Sequence, residues 1–355
     1  MDRTSTLPAR NAGAPWGWSE RHRARRVAVV GATGAVGAEL SQMLVAAGHP
    51  RERLDLSARR RASVDDGRGG RLEVRALEGD VARANAGRWD LAFLCTPSEV
   101  SRTLGPELAE RGVWTIDLSS AHRMRPDVPL IVPEINGAEL RSAGRLIANP
   151  NCTTAIAALP LAVLDRAAGL EEVNVVSFQA ASGAGNAGLE ALAAEAREPS
   201  AAESAKHAGS PFAARLAFNV IPAVASVGPD GTSGEEQKVI EETRKILGRP
   251  SLVVEVTTTR VPVERCHSVA VHVRLARELD PSEAKRLLRA ASGIVLTDDP
   301  HGPRPLECAG ADPVHVGRVR AGTRGPRSLC FFAVGDQIRK GAALNALQIA
   351  VALEP

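Results

Sequence analysis

Four apolar residues, Val27 to Val30, run directly into a turn with glycines at positions 31, 34 and 37. An apolar run followed by glycines and a helical pattern is typical of a buried parallel strand that opens a βαβ unit. Helix-start N–H groups bind phosphate in such a turn when no Cβ atom blocks the approach. The spacing is G-x-x-G-x-x-G rather than the strict G-x-G-x-x-G, so the glycines alone are a weak signal. The prediction of a dinucleotide site depends mainly on the position of this turn in the first βαβ unit. The predicted dinucleotide contacts in this turn are Gly31, Thr33, Gly34, Ala35, Val36 and Gly37.

The end of the second predicted strand bears on the choice between NAD and NADP. About twenty residues after the glycines, NAD-binding folds place a carboxylate on the ribose diol. This chain has Ser57-Ala58-Arg59-Arg60 there, and a hydroxyl with a guanidinium suits a 2′-phosphate. We therefore predict NADP, bound through Ser57 and Arg59. Two alternatives stay open: the arginines are solvated loop charges, or Asp55, inside the strand, is the carboxylate of an NAD site.

Strands alternate with helices before Pro150 and mix irregularly after it. The early strands are predicted at 53–57, 90–95 and 113–117, with a helix at about 99–111, and such alternation gives a parallel sheet. After Pro150, helices are predicted at about 152–167, 234–247 and 281–290, and β-rich runs at 173–181, 252–259, 267–276, 314–319 and 328–334. Mixed strands with few helices predict an α+β domain with a largely antiparallel sheet.

The predicted fold class is therefore α/β, with an N-terminal Rossmann-type dinucleotide-binding domain and an α+β domain built on a mixed sheet. Residues 26–150 form the first domain, and 151–335 form the second. The apolar stretch from Lys340 to Leu353 is expected to pack back on the first domain, within a C-terminal helix at 336–355. The polar, arginine-rich residues 1–25 are predicted to be a disordered leader.

Composition excludes several classes of partner. Forty-four basic and 41 acidic residues leave a net charge of +3, and aromatic residues make up 3% of the chain, so no nucleic-acid surface is expected. The apolar runs fall short of the ~18 residues of a membrane span. Five widely spaced cysteines without a C-x-x-C pair predict neither a disulfide framework nor a metal site. A reducing cytoplasm is the expected compartment.

Cys152 differs from the other cysteines in its position. It lies in Asn149-Pro-Asn-Cys-Thr-Thr154, where a helix is predicted to begin and the two domains meet. A thiol at a helix N-terminus feels the positive end of the helix dipole, and its pKa can fall to about 3.5–7.5. The other four cysteines are interpreted as small core residues. His267, in Arg260-Val-Pro-Val-Glu-Arg-Cys-His267, supplies an imidazole that can serve a thiolate as acid or base.

These motifs follow one another in the order seen in aspartate-β-semialdehyde dehydrogenases, a family that the chain resembles from about residue 26 to 353. The segments that carry the resemblance are Gly31-Ala-Thr-Gly-Ala-Val-Gly37, Asn149-Pro-Asn-Cys-Thr153, Gln179-Ala-Ala-Ser-Gly-Ala-Gly185, Phe218-Asn-Val-Ile-Pro222, Glu235-Glu-Gln-Lys238 with Glu242-Thr-Arg-Lys-Ile246, Arg260-Val-Pro-Val with His267, and Ile338-Arg-Lys-Gly-Ala-Ala-Leu-Asn345. The resemblance implies an NADP-binding Rossmann domain, a catalytic and dimerisation domain, and reductive dephosphorylation of β-aspartyl phosphate in aspartate-family amino-acid biosynthesis. It also implies a homodimer or a dimer of dimers.

The resemblance further implies a role for each matching residue. Cys152 resembles the nucleophile that holds the thioester, His267 the acid/base, and Gln179 the amide that orients the intermediate. Arg260 resembles the clamp on the substrate α-carboxylate, and Glu235 the partner of the α-amino group. The implied phosphate contacts are Arg123, Asn151 and Lys238, and the further cofactor contacts are Ser182, Gly183 and Asn345. The alternative for Glu235 and Lys238, three residues apart on a helix, is that they merely pair with each other on a wet face.

The chain also departs from the family pattern. The segment Ala223 to Gly234 lacks the histidine and aromatic residues of that loop, Gly335-Asp-Gln-Ile338 replaces the usual Asp-Asn-Leu, and Phe178 stands where a tyrosine is expected. Three alternatives therefore stay open: an N-acetyl-γ-glutamyl-phosphate reductase, a specialised-metabolism paralogue, and a catalytically silent dinucleotide-binding protein. The first has glycine and tyrosine flanking its cysteine, where this chain has Asn151 and Thr153.

Overall fold

The structure, a computed structural model, describes residues 15–77, 79, 87–197 and 206–353. Its strands are β1 (Val27–Val30), β2 (Leu54–Ala58), β3 (Ala62–Asp65), β4 (Arg71–Ala76), β5 (Leu91–Leu94), β6 (Trp114–Asp117), β7 (Leu146–Ala148), β8 (Leu170–Gln179), β9 (Val253–Arg260), β10 (His267–Leu275), β11 (Ile294–Leu296), β12 (Val314–Ala321) and β13 (Ser328–Gly335). Its longer helices are α1 (Ala35–Ala46), α2 (Ser98–Glu110), α3 (Cys152–Ala168), α4 (Gly185–Arg197), α5 (Gly234–Leu247), α6 (Pro281–Ala290) and α7 (Leu344–Ala352). One-turn helices lie at Glu20–Arg23, Pro133–Asn136 and Pro305–Cys308, and a π-helix, Arg339–Ala343, precedes α7.

The first sheet has the strand order β3-β4-β2-β1-β5-β6-β7, and every pairing is parallel except that of β3 with β4. Because ligands of open parallel sheets bind beyond the carboxyl ends of the strands, the turns after β1, β5 and β6 form one edge suited to a ligand. Gly31 follows β1 with φ of +90°, and a Cβ atom on it would lie 2.2 Å from the carbonyl oxygen of Cys95. Only glycine fits this position.

The second sheet has the order β11-β12-β13-β10-β8-β9 and is mixed, with parallel pairs at both ends and antiparallel pairs between them. The predicted two-domain α/β fold with a mixed second sheet is therefore confirmed. Gln179 and Arg260 are paired at the carboxyl ends of β8 and β9, and antiparallel β10 begins at His267. Strand direction thus brings three predicted site residues to one edge of this sheet.

The last helix packs on the first domain. Leu344, Leu347 and Ile349 are buried in the same apolar cluster as Val27 and Val29 of β1. Residues 354 and 355 of the predicted C-terminal helix lie outside the described part of the chain. Within the described ranges, no helix combines the length and apolar character needed to cross a membrane.

The prediction of a disordered leader is wrong for residues 15–25. Trp18 is 1% exposed and stacks on His22 with ring centroids 5.1 Å apart, and Trp16 donates its indole N–H to Asp312 at 2.8 Å. Two large aromatic side chains bury apolar area that the segment's overall polar composition conceals. Residues 1–14 of the predicted leader lie outside the described residues.

Candidate functional site

A cleft of about 320 Å³ lies where the two domains meet. The predicted site residues that line it are Gly34, Ala35, Val36, Gly37, Arg123, Asn151, Cys152, Ser182 and Gly183. The glycine turn and Cys152 therefore share one cavity. A larger hollow of about 490 Å³, beside Trp16 and Arg166, contains none of the predicted site residues.

Cys152 is the first residue of α3, and Asn151 caps that helix. The Oδ1 atom of Asn151 accepts hydrogen bonds from the backbone N–H groups of Thr153 at 2.9 Å and Thr154 at 3.2 Å. An N-cap side chain of this type satisfies two of the free N–H groups at the start of a helix. Asn151 thus fixes the position of the thiol through the backbone.

The pKa of Cys152 differs from the sequence-based expectation. Burial raises the pKa of the thiol to about 11, with Glu235 adding to the increase and Arg123 and Arg260 opposing it. Desolvation disfavours the charged form of a thiol, and here it exceeds the effect of the nearby cations. The predicted lowering of this pKa is therefore wrong, and Cys152 is a thiol at neutral pH before substrate binds.

His267 is fully buried at the start of β10. Its Nδ1 atom accepts the backbone N–H of Ala180 at 3.1 Å, so the hydrogen of the neutral ring lies on Nε2. Burial, and then the charge of Arg260, lower the pKa of His267 well below its usual value, so the ring is neutral at pH 7. Nε2 has no hydrogen-bond partner among the described residues, and it lies against Gly183 in the cleft wall.

A buried carboxylate, Glu235, joins several predicted substrate contacts. Its Oε1 atom accepts from Asn151 Nδ2 at 2.9 Å and from Gln179 Nε2 at 3.3 Å. Its Oε2 atom accepts from Lys238 Nζ at 3.4 Å. Glu235 and Lys238 do pair across three positions of α5, but only Lys238 is partly exposed, with 37% of its side chain accessible, whereas Glu235 is buried.

The guanidinium of Arg260 is held by one hydrogen bond and one aromatic contact. Its Nη1 atom donates to the carbonyl of Ala180 at 2.6 Å, and its Cζ atom lies 5.7 Å from the centre of the Phe212 ring. A Cβ atom on Gly183 would stand 2.5 Å from Nη1, so the glycine leaves room for the guanidinium. A fixed planar fork of this kind suits a carboxylate.

Arg123 reaches the cleft from the loop after β6. It donates to the carbonyls of Asn149 and Leu118, each at 2.9 Å, and to Glu242 Oε1 at 3.0 Å. Glu242 Oε2 in turn accepts the backbone N–H of Asn151 at 2.6 Å. Because arginine has five N–H donors, two remain for an anion in the cleft.

The cofactor contacts predicted in the first domain fit a dinucleotide. Gly34 caps α1 without a side-chain hydrogen bond, which leaves the first N–H groups of the helix free. A Cβ atom on Gly37 would lie 2.4 Å from the carbonyl oxygen of Gly31, so the close turn requires glycine there too. Thr33 is exposed beside Gly34. Bare helix N-termini of this kind bind phosphate.

The residues at the end of β2 favour NADP. The Ser57 hydroxyl is buried without a hydrogen-bond partner among the described residues, and Arg59 is exposed beside it. Asp55, the alternative NAD carboxylate, already accepts from Arg75 Nε at Oδ1 and from Trp89 Nε1 at Oδ2, each at 2.9 Å. Its oxygens are therefore occupied, whereas Ser57 has an unused polar group.

Asn345 is not among the residues that line the cleft, and neither are the predicted cofactor contacts Gly31, Thr33, Ser57 and Arg59. Asn345 is fully buried, and its Nδ2 atom donates to the carbonyl of Ile131 at 2.9 Å and to Asn149 Oδ1 at 2.8 Å. Its Oδ1 atom accepts from Lys340 Nζ at 3.1 Å. In this structure Asn345 supports Asn149, which does line the cleft, and its role as a cofactor contact stays a prediction.

Several residues of the cleft wall were not predicted as site residues, although six of them lie within the motifs that carry the family resemblance. The residues not predicted are Cys95, Thr96, Leu118, Asn149, Pro150, Gly185, Gln337, Ile338, Gly341 and Ala342. Cys95, Thr96 and Leu118 follow β5 and β6 directly, so the rule that ligands bind beyond the strand ends points to them. Gln337 and Gly341 come from the segment before α7, and no pattern in the sequence places that segment beside Cys152.

Comparison with known proteins identifies the family. Residues 26–143 match the family model for the semialdehyde dehydrogenase NAD-binding domain, and 161–340 match that for the semialdehyde dehydrogenase dimerisation domain. The aspartate-semialdehyde dehydrogenase of Streptomyces akiyoshiensis is 39% identical over 92% of this chain and 97% of that protein. The chain belongs to the aspartate-semialdehyde dehydrogenase family. The aspartate-semialdehyde dehydrogenase of Mycolicibacterium smegmatis is likewise 39% identical, over 91% of this chain and 97% of that protein.

Solved structures of aspartate-semialdehyde dehydrogenases agree. Aspartate semialdehyde dehydrogenase II of Vibrio cholerae superposes with a TM-score of 0.84 and 35% identity, over 92% of this chain and 97% of that one. A second structure of that protein, complexed with ASA, gives the same TM-score at 34% identity, over 93% and 98%. The family predicted from the motifs is confirmed.

The loop in which this chain departs from other aspartate-semialdehyde dehydrogenases is a compact turn. The backbone N–H of Gly228 donates to the carbonyl of Thr232 at 2.8 Å, and Ser233 then caps α5 by accepting from the Glu236 N–H at 3.3 Å. The altered loop therefore determines where the helix that carries Glu235 begins.

Proposed function

We propose that the chain catalyses NADPH-dependent reductive dephosphorylation of L-4-aspartyl phosphate to L-aspartate 4-semialdehyde, within aspartate-family amino-acid biosynthesis. One observation carries the proposal: Cys152 and a bare glycine turn line the same cleft. A nucleophile beside a nicotinamide site suits acyl transfer followed by reduction. The names of the relatives support the same reaction.

The substrate has three charged groups, and the site has a matching set. The α-carboxylate is assigned to Arg260 and the α-ammonium to Glu235, and each of these residues is 7% exposed. Arg260 is paired with Gln179 at the strand edge, and Glu235 on α5 accepts from the Gln179 amide. The phosphate is assigned to Arg123, through its two remaining N–H donors, together with Lys238 and Asn151. Because an acetylated amine has no positive charge, Glu235 disfavours an N-acetylglutamyl substrate.

The covalent step belongs to Cys152. Its sulfur forms a bond to the acyl carbon while the bond to phosphate breaks, leaving a thioester, and the thiol proton departs with the phosphate. The glycine turn at residues 31–37 would hold NADPH, and the bound cofactor would supply the hydride that reduces this thioester. The tetrahedral anion on Cys152 then releases the aldehyde and the thiolate.

His267 is proposed to stabilise the oxygen that becomes negative in both steps. The N–H of Ala180 holds Nδ1 as an acceptor, so Nε2 presents a hydrogen toward the Gly183 wall of the cleft. A preorganised donor in a buried site stabilises an oxyanion strongly. The acid/base role predicted for His267 remains a prediction beside this one.

The cofactor is proposed to be NADP rather than NAD. The match to an NAD-binding domain supports a nicotinamide dinucleotide. The unpaired hydroxyl of Ser57 and the neighbouring Arg59 provide a donor and a cation for the 2′-phosphate, and Ser182 and Gly183 provide cleft-wall contacts.

A homodimer, or a dimer of dimers, is the proposed assembly, and the cytoplasm the proposed location. The matched dimerisation domain supports the assembly. Phe218, Val220 and Val227, which are 74%, 54% and 54% exposed, form an apolar segment that a second copy would cover.

A steady-state assay tests the function. The purified chain is given aspartate semialdehyde with NADP, with and without phosphate, and N-acetylglutamate semialdehyde in parallel. The proposal predicts phosphate-dependent NADP reduction with the first substrate only. Faster turnover of the acetylated substrate would assign the alternative reductase, and activity on neither would indicate a specialised paralogue or a silent protein.

A further inference from the structure

The amide of Gln337 joins segments from three parts of the chain. Its Oε1 atom accepts the backbone N–H of Cys266 at 2.8 Å, and its Nε2 atom donates to the Ser182 hydroxyl. Gln337 is 3% exposed and lines the same cleft as the glycine turn and Cys152. The described structure thus uses both ends of this amide within the protein.

The first partner, Cys266, has an unusual backbone. Its φ is +75°, a left-handed conformation that residues with a Cβ atom rarely adopt. Such strained positions persist only where surrounding contacts hold them, and they cluster at functional sites. Cys266 directly precedes His267, so its φ and ψ set the direction in which β10 begins.

The second partner belongs to the segment that contacts the His267 ring. The backbone N–H groups of Ala181 and Ser182 donate to the carbonyls of Val263 and Glu264, at 2.7 and 3.1 Å. The neighbouring N–H of Ala180 donates to Nδ1 of His267. The segments 180–182 and 263–267 therefore hold the imidazole ring in place, and the Gln337 amide bonds to both segments.

We propose that Gln337 is a positioning residue for His267: its amide holds Cys266 in the left-handed conformation and ties it to the Ser182 segment, and so fixes the imidazole relative to Cys152. This positioning role depends on the proposed function only because one of the tests below measures turnover. Gln337 itself takes no part in bond making or proton transfer.

The first test pairs a disruption with a rescue. Gln337→Met keeps the length of the side chain and removes both hydrogen bonds. It is expected to lower kcat about ten- to hundredfold, because small misplacements of a catalytic group have effects of this size, with KM for NADP within about twofold. Cys266→Gly in the same chain should restore most of kcat, because glycine adopts positive φ without strain. Cys266→Ala, which removes the same sulfur but keeps the Cβ atom, should not restore it.

The second readout needs no turnover. Hydrogen–deuterium exchange of the peptide that contains Cys266, measured on the full chain without substrates, should be faster in Gln337→Met, because the N–H has lost its acceptor. The alkylation rate of Cys152 should be unchanged. If Gln337→Met does not fold, Gln337→Asn gives the same comparisons with a shorter amide.

Three outcomes would overturn the proposal. A raised KM for NADP with unchanged kcat would make Gln337 a cofactor contact. Equal rescue by Cys266→Gly and Cys266→Ala would show that strain at Cys266 is irrelevant, and unchanged exchange would show that the Cys266 N–H does not depend on Gln337. If the unmodified chain lacks the proposed activity, the proposed function fails, and the exchange comparison still tests Gln337.

Discussion

Gly341 lies so close to Cys152 that a Cβ atom built on it would stand 2.8 Å from the Cys152 Cβ atom. The glycine belongs to the π-helix Arg339–Ala343. π-Helical turns are often found at functional sites, where they displace a helix from its regular path. The buried Lys340 anchors this turn by donating to both oxygens of Glu134, at 2.9 and 2.7 Å. The π-helix Arg339–Ala343 therefore packs directly against the Cys152 side chain.

Gly341→Ala is expected to lower kcat roughly ten- to hundredfold, because the added methyl group must displace the Cys152 side chain or the π-helix. Steady-state kinetics on the purified variant measure the effect. Gly144→Ala is the matched control, because a Cβ atom at Gly144 meets nothing within 4 Å, and it should behave like the unmodified chain. Equal activity of the two variants would contradict the close contact.

The pKa of the Cys152 thiol can be measured by alkylation. Because burial raises this pKa to about 11, the inactivation rate with iodoacetamide in the free enzyme should rise about tenfold per pH unit and reach no plateau below about pH 10. Glu235→Gln removes a carboxylate that raises the pKa, so it should accelerate alkylation at a fixed pH. A plateau near neutral pH would instead support a thiolate stabilised by the helix N-terminus.

Arg260 and Glu235 should contribute unequally to substrate selection. Removing one partner of a desolvated charge pair typically costs about 2–5 kcal/mol, so Arg260→Ala should lose at least about thirtyfold in kcat/KM for aspartate semialdehyde. Glu235→Gln should lose less, since an amide oxygen still accepts from the ammonium. Measuring both variants with the N-acetylated substrate completes the comparison. An undiminished preference for the free amine in Glu235→Gln would remove Glu235 from the amine site.

Cofactor preference tests the end of β2. The unmodified chain should prefer NADPH to NADH by at least about tenfold in kcat/KM, a difference of about 1.4 kcal/mol. Ser57→Ala and Arg59→Ala should each reduce that ratio, mainly by weakening the use of NADPH. Arg60→Ala removes a positive charge from the neighbouring position, so it serves as the control for a general effect of charge on cofactor binding. Equal use of both cofactors by the unmodified chain would shift the assignment back to NAD.

Local patterns in the sequence were enough to predict most of the fold. The helix predicted at about 152–167 is α3, Cys152–Ala168, and the strand predicted at 267–276 is β10, His267–Leu275. Apolar periodicity and glycine turns specify such elements locally. The strands of the β3–β4 hairpin were not predicted, because they are short and flank Asp65-Asp-Gly-Arg-Gly-Gly70, which has the composition of a solvated loop and forms the turn between them. In the structure Asp66 organises that turn by accepting the N–H groups of Arg68 and Gly70, each at 2.8 Å.

The parts of the site that depend on long-range packing could not be predicted. The sequence indicates a helix start at Cys152, but the thiol pKa depends on burial and on Glu235, 83 positions away in the sequence. Asn345 matches a family motif, yet its amide faces Ile131 and Asn149 because α7 packs on the first domain. The burial of Trp18 in the predicted leader could not be predicted either, because Trp18 packs on His49, a buried residue that follows α1 in the sequence.

A single-turnover experiment tests most directly whether a thioester on Cys152 lies on the pathway. The enzyme is mixed with aspartate semialdehyde and NADP in the absence of phosphate, and NADPH formation is followed from the first turnover. A Cys152 thioester predicts a burst of NADPH stoichiometric with active sites, then almost no turnover until phosphate is added, and no burst in Cys152→Ala. A linear, phosphate-independent rate without a burst, or a burst that persists in Cys152→Ala, would contradict the proposed mechanism.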